Sequence, residues 1–258
     1  MTRIGERFAR LRRDGKKAFV AFVTAGDPSL DRTVEVAFEL ERGGVDVLEL
    51  GVPFSDPLAD GPVIQRASDR ALRRGTTLAD VLDVVRRVRR RSDLPLLLFS
   101  YANPLFRYGL TRTATDARDA GADGMLVTDL PPEEAGDWLG AARAADVDTV
   151  FLAAPTSPEA RLRLVAEASR GFVYAVSRTG VTGEREALSS DARPLVERLK
   201  ALTSEPVALG FGISTPAQVA AAAAVADGVV VGSALVRSLE ERPAGDVAEQ
   251  VRWLKSAM

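Results

Sequence analysis

Gly44-Val45-Asp46-Val47-Leu48-Glu49-Leu50-Gly51-Val52-Pro53 contains the unit from which the fold can be read: a glycine that ends a helix, a polar turn, then an apolar strand that is continuous except at one carboxylate. Glycine and a short polar step are what a helix needs to stop, because only glycine enters the left-handed region without steric cost. The run Val45–Val52 is apolar on both alternating sets of positions, as expected of a parallel strand covered on both faces.

The unit recurs. Gly121-Ala122-Asp123, Ala145-Asp146-Val147-Asp148 and Val225-Ala226-Asp227-Gly228 make the same step from helix to strand. Apolar or β-branched runs at Ala18–Thr24, Pro95–Tyr101, Met125–Asp129, Thr149–Ala153, Phe172–Ser177, Val207–Gly212 and Val229–Gly232 complete a set of eight candidate strands. Between them lie segments of helical spacing, such as Val34, Ala37, Phe38 and Leu40, or Leu78, Val81, Leu82, Val85 and Val88. Asp27-Pro28, Ser157-Pro158 and Thr215-Pro216 each pair a capping side chain with a proline suited to the first helical position.

Eight αβ units without a composition shift or linker predict an α/β fold: a single (β/α)8 TIM barrel domain over residues 1–258. The dinucleotide glycine turn of an open doubly wound sheet is absent after the first strand. Ile4, Phe8 and Leu11 predict an extra N-terminal helix, Ile4–Arg13, covering the bottom of the barrel. Two βα connections are extended: loop 2, Pro53–Leu78, with a helical stretch of its own, and loop 6, Arg178–Arg193. Long loops at this end of a barrel usually belong to the active site.

Composition narrows the chemistry. The chain has no cysteine and no histidine, so disulfides, thiolate nucleophiles and imidazole bases are excluded, along with the usual zinc ligands. Catalysis falls to carboxylates, Tyr, Lys or Ser/Thr. A net charge of −2, from 34 basic and 36 acidic residues, provides no field for nucleic acid or an anionic membrane. Met1–Glu6 lacks an apolar signal core, and no apolar run approaches the ~20 residues of a membrane span, so a soluble cytoplasmic protein is expected.

Glu49 breaks an apolar strand near its C-terminal end. An unpaired carboxylate in such a place resists ionisation, so it is either half of a buried ion pair or a general acid/base of raised pKa. Asp56 and Asp60 sit in a loop stiffened by Pro53, Pro57 and Pro62; each could act at the barrel mouth or cap a turn or the next helix. Ser177-Arg178-Thr179-Gly180-Val181-Thr182-Gly183 reads as a lid or as a flexible surface loop. Gly210-Phe211-Gly212-Ile213-Ser214 and Gly232-Ser233 follow the last two strands, where barrels bind phosphate through backbone N–H groups. The basic run Arg86–Arg91 closes a predicted helix and reads as a solvated face; Trp138 and Trp253 read as packing residues.

The stretch from Leu48 through Gly61-Pro62 to Ile64-Gln65 resembles the signature of the tryptophan synthase alpha subunit family, and so do Phe22–Pro28, Tyr101-Ala102-Asn103-Pro104, Ser177–Gly183 and Gly210–Ser214. The resemblance spans essentially the whole chain. It implies a carbon–carbon lyase of tryptophan biosynthesis that cleaves indole-3-glycerol phosphate to indole and glyceraldehyde 3-phosphate by a retro-aldol reaction. Glu49 would then shuttle protons, Asp60 would accept the indole N–H, and Tyr174 would orient Glu49 or the substrate. Phosphate contacts fall on Gly183, Gly212, Gly232 and Ser233, and the indole pocket on Phe22, Phe99, Leu126, Thr128, Leu152, Phe211 and Val230. Arg178 and Thr182 belong to the lid, with Thr182 meeting Asp60 on closure.

By the same resemblance, Asp56 and Pro57 face a pyridoxal-phosphate beta subunit in an alpha2beta2 assembly; the alpha chain itself has no cofactor and no metal. Ala21, Phe99 and Thr128 stand where the family more often has proline, Leu or Met, and alanine, which alters the pocket's shape. Three other readings share parts of this pattern: a stand-alone indole-releasing lyase, a non-catalytic allosteric partner of a beta subunit, and a phosphosugar isomerase barrel. The isomerase gives no reason for the loop Asp56–Gly61.

Overall fold

A computed structural model describes residues 2–176, 191–210, 212–242 and 245–258. Among them the strands are β1 (Ala18–Thr24), β2 (Val47–Gly51), β3 (Leu96–Ser100), β4 (Gly124–Val127), β5 (Asp148–Val150), β6 (Leu152–Ala153), β7 (Val173–Val176), β8 (Val207–Gly210) and β9 (Gly228–Val231). The helices are α1 (Arg3–Arg13), α2 (Leu30–Gly43), α3 (Pro62–Arg73), α4 (Leu78–Arg89), α5 (Ala102–Tyr108) and α6 (Leu110–Ala120) in the first half. The second half carries α7 (Gly136–Ala144), α8 (Glu159–Ala168), α9 (Ala192–Leu202), α10 (Pro216–Ala223), α11 (Ser233–Glu241) and α12 (Ala248–Lys255).

All pairings are parallel, in the order β5-β4-β3-β2-β1-β9-β8-β7-β6. The two ends of this order, β5 and β6, are separated only by Phe151. They are therefore one interrupted strand, the predicted Thr149–Ala153. Phe151 O still accepts from Tyr174 N at 3.1 Å, so the ring closes as a (β/α)8 TIM barrel.

Strand alternation separates two cores. Val20, Phe22, Val47, Leu97, Phe99, Leu126, Val150, Tyr174, Ala208 and Val230 fill the inside of the barrel. Their neighbours Phe19, Ala21, Val23, Leu48, Leu50, Leu96 and Leu98 pack outward under the helices. A period of two sends alternate side chains to opposite faces, which puts Glu49, between Leu48 and Leu50, inside. Helix α1 closes the bottom as predicted, with Ile4, Phe8 and Leu11 buried and the Phe8 ring 5.6 Å from that of Phe172.

The repeated junctions have a physical explanation. Gly44 and Gly121 end α2 and α6 with φ of 94° and 98°, and Asp146 does the same at the third junction with φ 53°. The aspartate that follows reaches a neighbouring strand's first free N–H: Asp46 accepts from Phe19 N at 2.9 Å, Asp123 from Leu96 N at 2.9 Å and Asp227 from Val207 N at 3.0 Å. Cations complete the base, with Arg7 and Lys255 on Asp46, Arg3 and Arg89 on Asp123, and Lys200 on Asp227.

Four sequence expectations need correction. Of the three helix starts, only Thr215-Pro216 has the expected form, with Pro216 in the first turn and Gln218 completing a capping box. Asp27-Pro28 is joined by a cis peptide bond, and Ser29 caps α2 instead, its hydroxyl accepting from Arg32 N at 3.1 Å. Pro158 is itself the N-cap residue of α8. In the basic run, Arg89 is not solvated: it donates to Gly121 O, Ser92 O, Leu94 O and Asp123. Trp138 is buried, but Trp253 is 49% exposed and so does not pack as expected.

Extended loop 2 carries α3, as predicted. Of loop 6, residues 178–190 lie outside the described residues, and with them Arg178, Thr182 and Gly183, while its last residues open α9 at Ala192; Phe211 also lies outside. Among the described residues, no helix is long and apolar enough to cross a membrane.

Candidate active site

At the C-terminal end of the strands, Phe22, Glu49, Asp60, Ile64, Phe99, Tyr174, Gly212, Ile213, Val230, Gly232 and Ser233 line one pocket. Strand register sets much of it: Phe22 pairs with Glu49, Glu49 with Leu97, and Phe99 with Leu126 around the barrel. The Phe22 and Phe99 rings meet edge to face at 5.2 Å, giving the pocket an apolar, aromatic wall.

Glu49 is 1% exposed, and among the described residues neither carboxyl oxygen has a hydrogen-bond partner. The buried ion pair weighed from sequence is therefore not what holds it. Burial with nothing to stabilise the charge pushes its pKa up to about 8, so the carboxyl is mostly protonated at neutral pH.

Asp60 is also buried, but differently supported. Its Oδ2 accepts from the Tyr101 hydroxyl at 3.0 Å while Oδ1 has no partner. Burial raises its pKa to about 6 and the Tyr101 hydrogen bond opposes that rise, leaving the group mostly ionised at pH 7. Its side chain does not cap α3, whose N-cap is Gly61 with Pro62 in the first turn. Asp56 is exposed and accepts from the Ser55 hydroxyl at 2.5 Å. Of the two loop carboxylates, only Asp60 enters the pocket.

Tyr174 is buried, and burial above all, with the two acids adding to it, raises its hydroxyl pKa well above the ordinary value. The ring fits because residue 210 is glycine: a Cβ there would lie 2.5 Å from the hydroxyl. On the other wall, Gly232 caps α11 and Ser233 opens it, so backbone N–H groups at that helix start sit beside the pocket.

Not all predicted pocket residues line this cavity. Thr128 and Leu152 line an adjacent one, with Ala59, Leu130, Phe151 and Arg161, and the Thr128 hydroxyl donates to Ser100 O at 2.7 Å. Leu126 lies fully buried in the inner core. Sequence reasoning passed over Tyr101, Ile64 and Ile213. All three lay within quoted motifs, but nothing in linear spacing shows that the end of β3 reaches across to loop 2.

A parallel barrel with two buried carboxylates of divergent pKa lining one aromatic pocket has the arrangement of an acid/base enzyme. The comparisons identify which family of such barrels this is. The tryptophan synthase alpha chain family profile matches residues 8–257, and the chain belongs to that family.

The tryptophan synthase alpha chain of Solibacter usitatus is 56% identical over 241 residues, covering 93% of this chain and 90% of the relative. That of Geobacter sp. strain M21 is 50% identical over 258 residues, covering 100% and 97%. A solved tryptophan synthase structure from Mycobacterium tuberculosis superposes with a TM-score of 0.93 at 40% identity, covering 99% of this chain and 98% of the other. The subunit alpha structure from Legionella pneumophila str. Paris gives 0.89 at 35% identity, covering 100% and 97%. The family's reaction is the cleavage of indole-3-glycerol phosphate, a lyase reaction of tryptophan biosynthesis, and membership implies a beta-subunit partner.

Proposed function

We propose that Glu49 and Asp60 carry out this cleavage as a retro-aldol reaction, with the whole chain acting as one catalytic domain in the cytoplasm. Breaking the bond between indole C3 and the glycerol chain needs a proton at C3, loss of the neighbouring hydroxyl proton and stabilisation of positive character at the ring nitrogen. Glu49, mostly protonated, delivers the first proton and takes up the second. Asp60, mostly ionised, accepts the indole N–H through its free Oδ1. Tyr174 orients Glu49 or the substrate, and Gly183, Gly212, Gly232 and Ser233 hold the phosphate, with Arg178 and Thr182 in the lid. Of the residues expected around the indole, Phe22, Phe99 and Val230 line this cavity and form its apolar wall.

The observation that carries this reading is the three unsatisfied carboxyl oxygens, two of Glu49 and one of Asp60, in one apolar pocket, since buried polar atoms without partners are costly unless a substrate uses them. Glu49→Gln is expected to abolish indole formation while leaving the fold intact; substantial remaining activity sinks the assignment. Partnership with a beta subunit, as an alpha2beta2 assembly through Asp56 and Pro57, is supported by Leu58 and Phe106, which are 83% and 57% exposed. Indole release with and without an added beta subunit separates a partner-dependent enzyme from a stand-alone one.

A further inference from the structure

We propose that Tyr101 is the positioning residue for Asp60: its hydroxyl holds one carboxylate oxygen, so that the other is the acceptor presented to the substrate. This deepens the reading above and rests on Asp60 being the group that receives the substrate N–H.

Tyr101 follows the last residue of β3 and is the N-cap residue of α5, so its backbone is fixed by the barrel rather than by loop 2. From there it grips loop 2 at three points. Its ring stacks on Phe54 at 5.1 Å, its hydroxyl oxygen accepts from Ala59 N at 3.1 Å, and its proton goes to Asp60 Oδ2 at 3.0 Å. A phenol has one proton. With the Ala59 N–H donating to the hydroxyl oxygen and the hydroxyl donating to the carboxylate, the chain runs Ala59 to Tyr101 to Asp60. Asp60 Oδ2 is thereby held as an acceptor, which favours the ionised form.

The surroundings offer Asp60 little other help. The titratable side chains facing it among the described residues are Tyr101 from the end of β3, Glu49 from β2 and Tyr174 from β7, and no lysine or arginine lines the pocket there. Glu49, in the same pocket without a donor, is the internal comparison: burial raises both acids, and the Tyr101 hydrogen bond opposes the rise at Asp60 alone. Tyr101 thus separates a donor acid from an acceptor acid that share one cavity.

The test is the pH profile of kcat/KM for indole formation, measured on the chain with its beta subunit. Tyr101→Phe keeps the ring and removes the hydroxyl. Its acid limb is expected to move up by about one pH unit, the change typical of one hydrogen bond lost from a carboxylate, while the alkaline limb stays in place. Should the Phe variant fail to fold, fluorotyrosine at position 101 provides the second arm: a more acidic donor is expected to move the acid limb down. An acid limb unmoved by either change overturns the proposal. Asp60→Asn distinguishes the levels: wild-type activity in that variant would remove the reading of Asp60 itself, whereas an inactive Asp60→Asn with an unmoved limb in the Tyr101 variants removes only the role of Tyr101.

Discussion

The hydroxyl of Tyr174 occupies the space that a side chain at Gly210 would need. A Cβ there would lie 2.5 Å from that oxygen and 2.9 Å from two ring carbons, and the two strands cannot slide apart because Val176 pairs with Gly210 in the β7–β8 register. Gly210→Ala must therefore displace the Tyr174 ring, which lines the same pocket as Glu49. We expect kcat for indole formation to fall by roughly ten- to a hundredfold, the range for a displacement near 1 Å, with about 1–3 kcal/mol of stability lost to overpacking. Tyr174→Phe removes the nearest atom, so Gly210→Ala should cost less stability in that background, which a double-mutant cycle on urea melts would read.

Glu49 makes the enzyme less stable as pH rises. The folded protein keeps the Glu49 proton to about pH 8, whereas the unfolded chain releases it near 4.5. Between those values the unfolded state binds fewer protons, so unfolding becomes easier with rising pH, and the effect is level outside the window. Glu49→Gln lacks this titration. It should melt higher than the wild type at pH 8.5, by an amount worth on the order of a few kcal/mol, and close to the wild type at pH 4.5. An equal difference at both values would contradict an unpaired buried carboxyl.

Arg70 on α3 makes a two-point bridge to Asp27, at 2.9 and 2.7 Å, and reaches Glu240 on α11 at 2.8 Å. Glu240 also receives Arg66, and these two arginines hold its carboxyl down at about 2. The network ties α3, the helix carried by loop 2, to the helix that opens at Ser233. Arg70→Met leaves Asp27 buried without its cation, and a loss of about 2–3 kcal/mol is expected in urea unfolding. Asp27→Asn should cost less, because no buried charge is left unpaired.

Arg89 and Arg90 are neighbours in one basic run yet should behave as opposites. Arg89 satisfies three backbone carbonyls and Asp123, whose side chain is fully buried. Arg89→Ala is expected to cost about 3 kcal/mol, and Arg90→Ala to stay within about 0.5 kcal/mol. Melting curves on the two variants decide it.

That contrast shows where the sequence was legible. Apolar runs and helical spacing are local patterns, so the eight strands and α1 could be read from them; the inward position of Glu49 could not, because its strand is apolar on both alternating sets of positions. An arginine turning back under its own helix to reach Asp123 leaves no such pattern, since its partners are 3 to 34 positions away. Tyr101 was hidden for the same reason: its contact with Asp60 spans 41 positions. The Asp27-Pro28 and Ser157-Pro158 starts misled because a proline after a polar residue fits a turn as well as a first helical position, and the choice between them is made by packing.

The aspartates at the strand starts act as a hoop around the base of the barrel. Asp46, Asp123 and Asp227 each fasten one strand to another through the backbone, where side-chain identity along the strands does not matter. The order of the staves is thus secured at the end remote from Glu49 and Asp60. Fastening at the base and chemistry at the mouth are thus carried by opposite ends of the same strands.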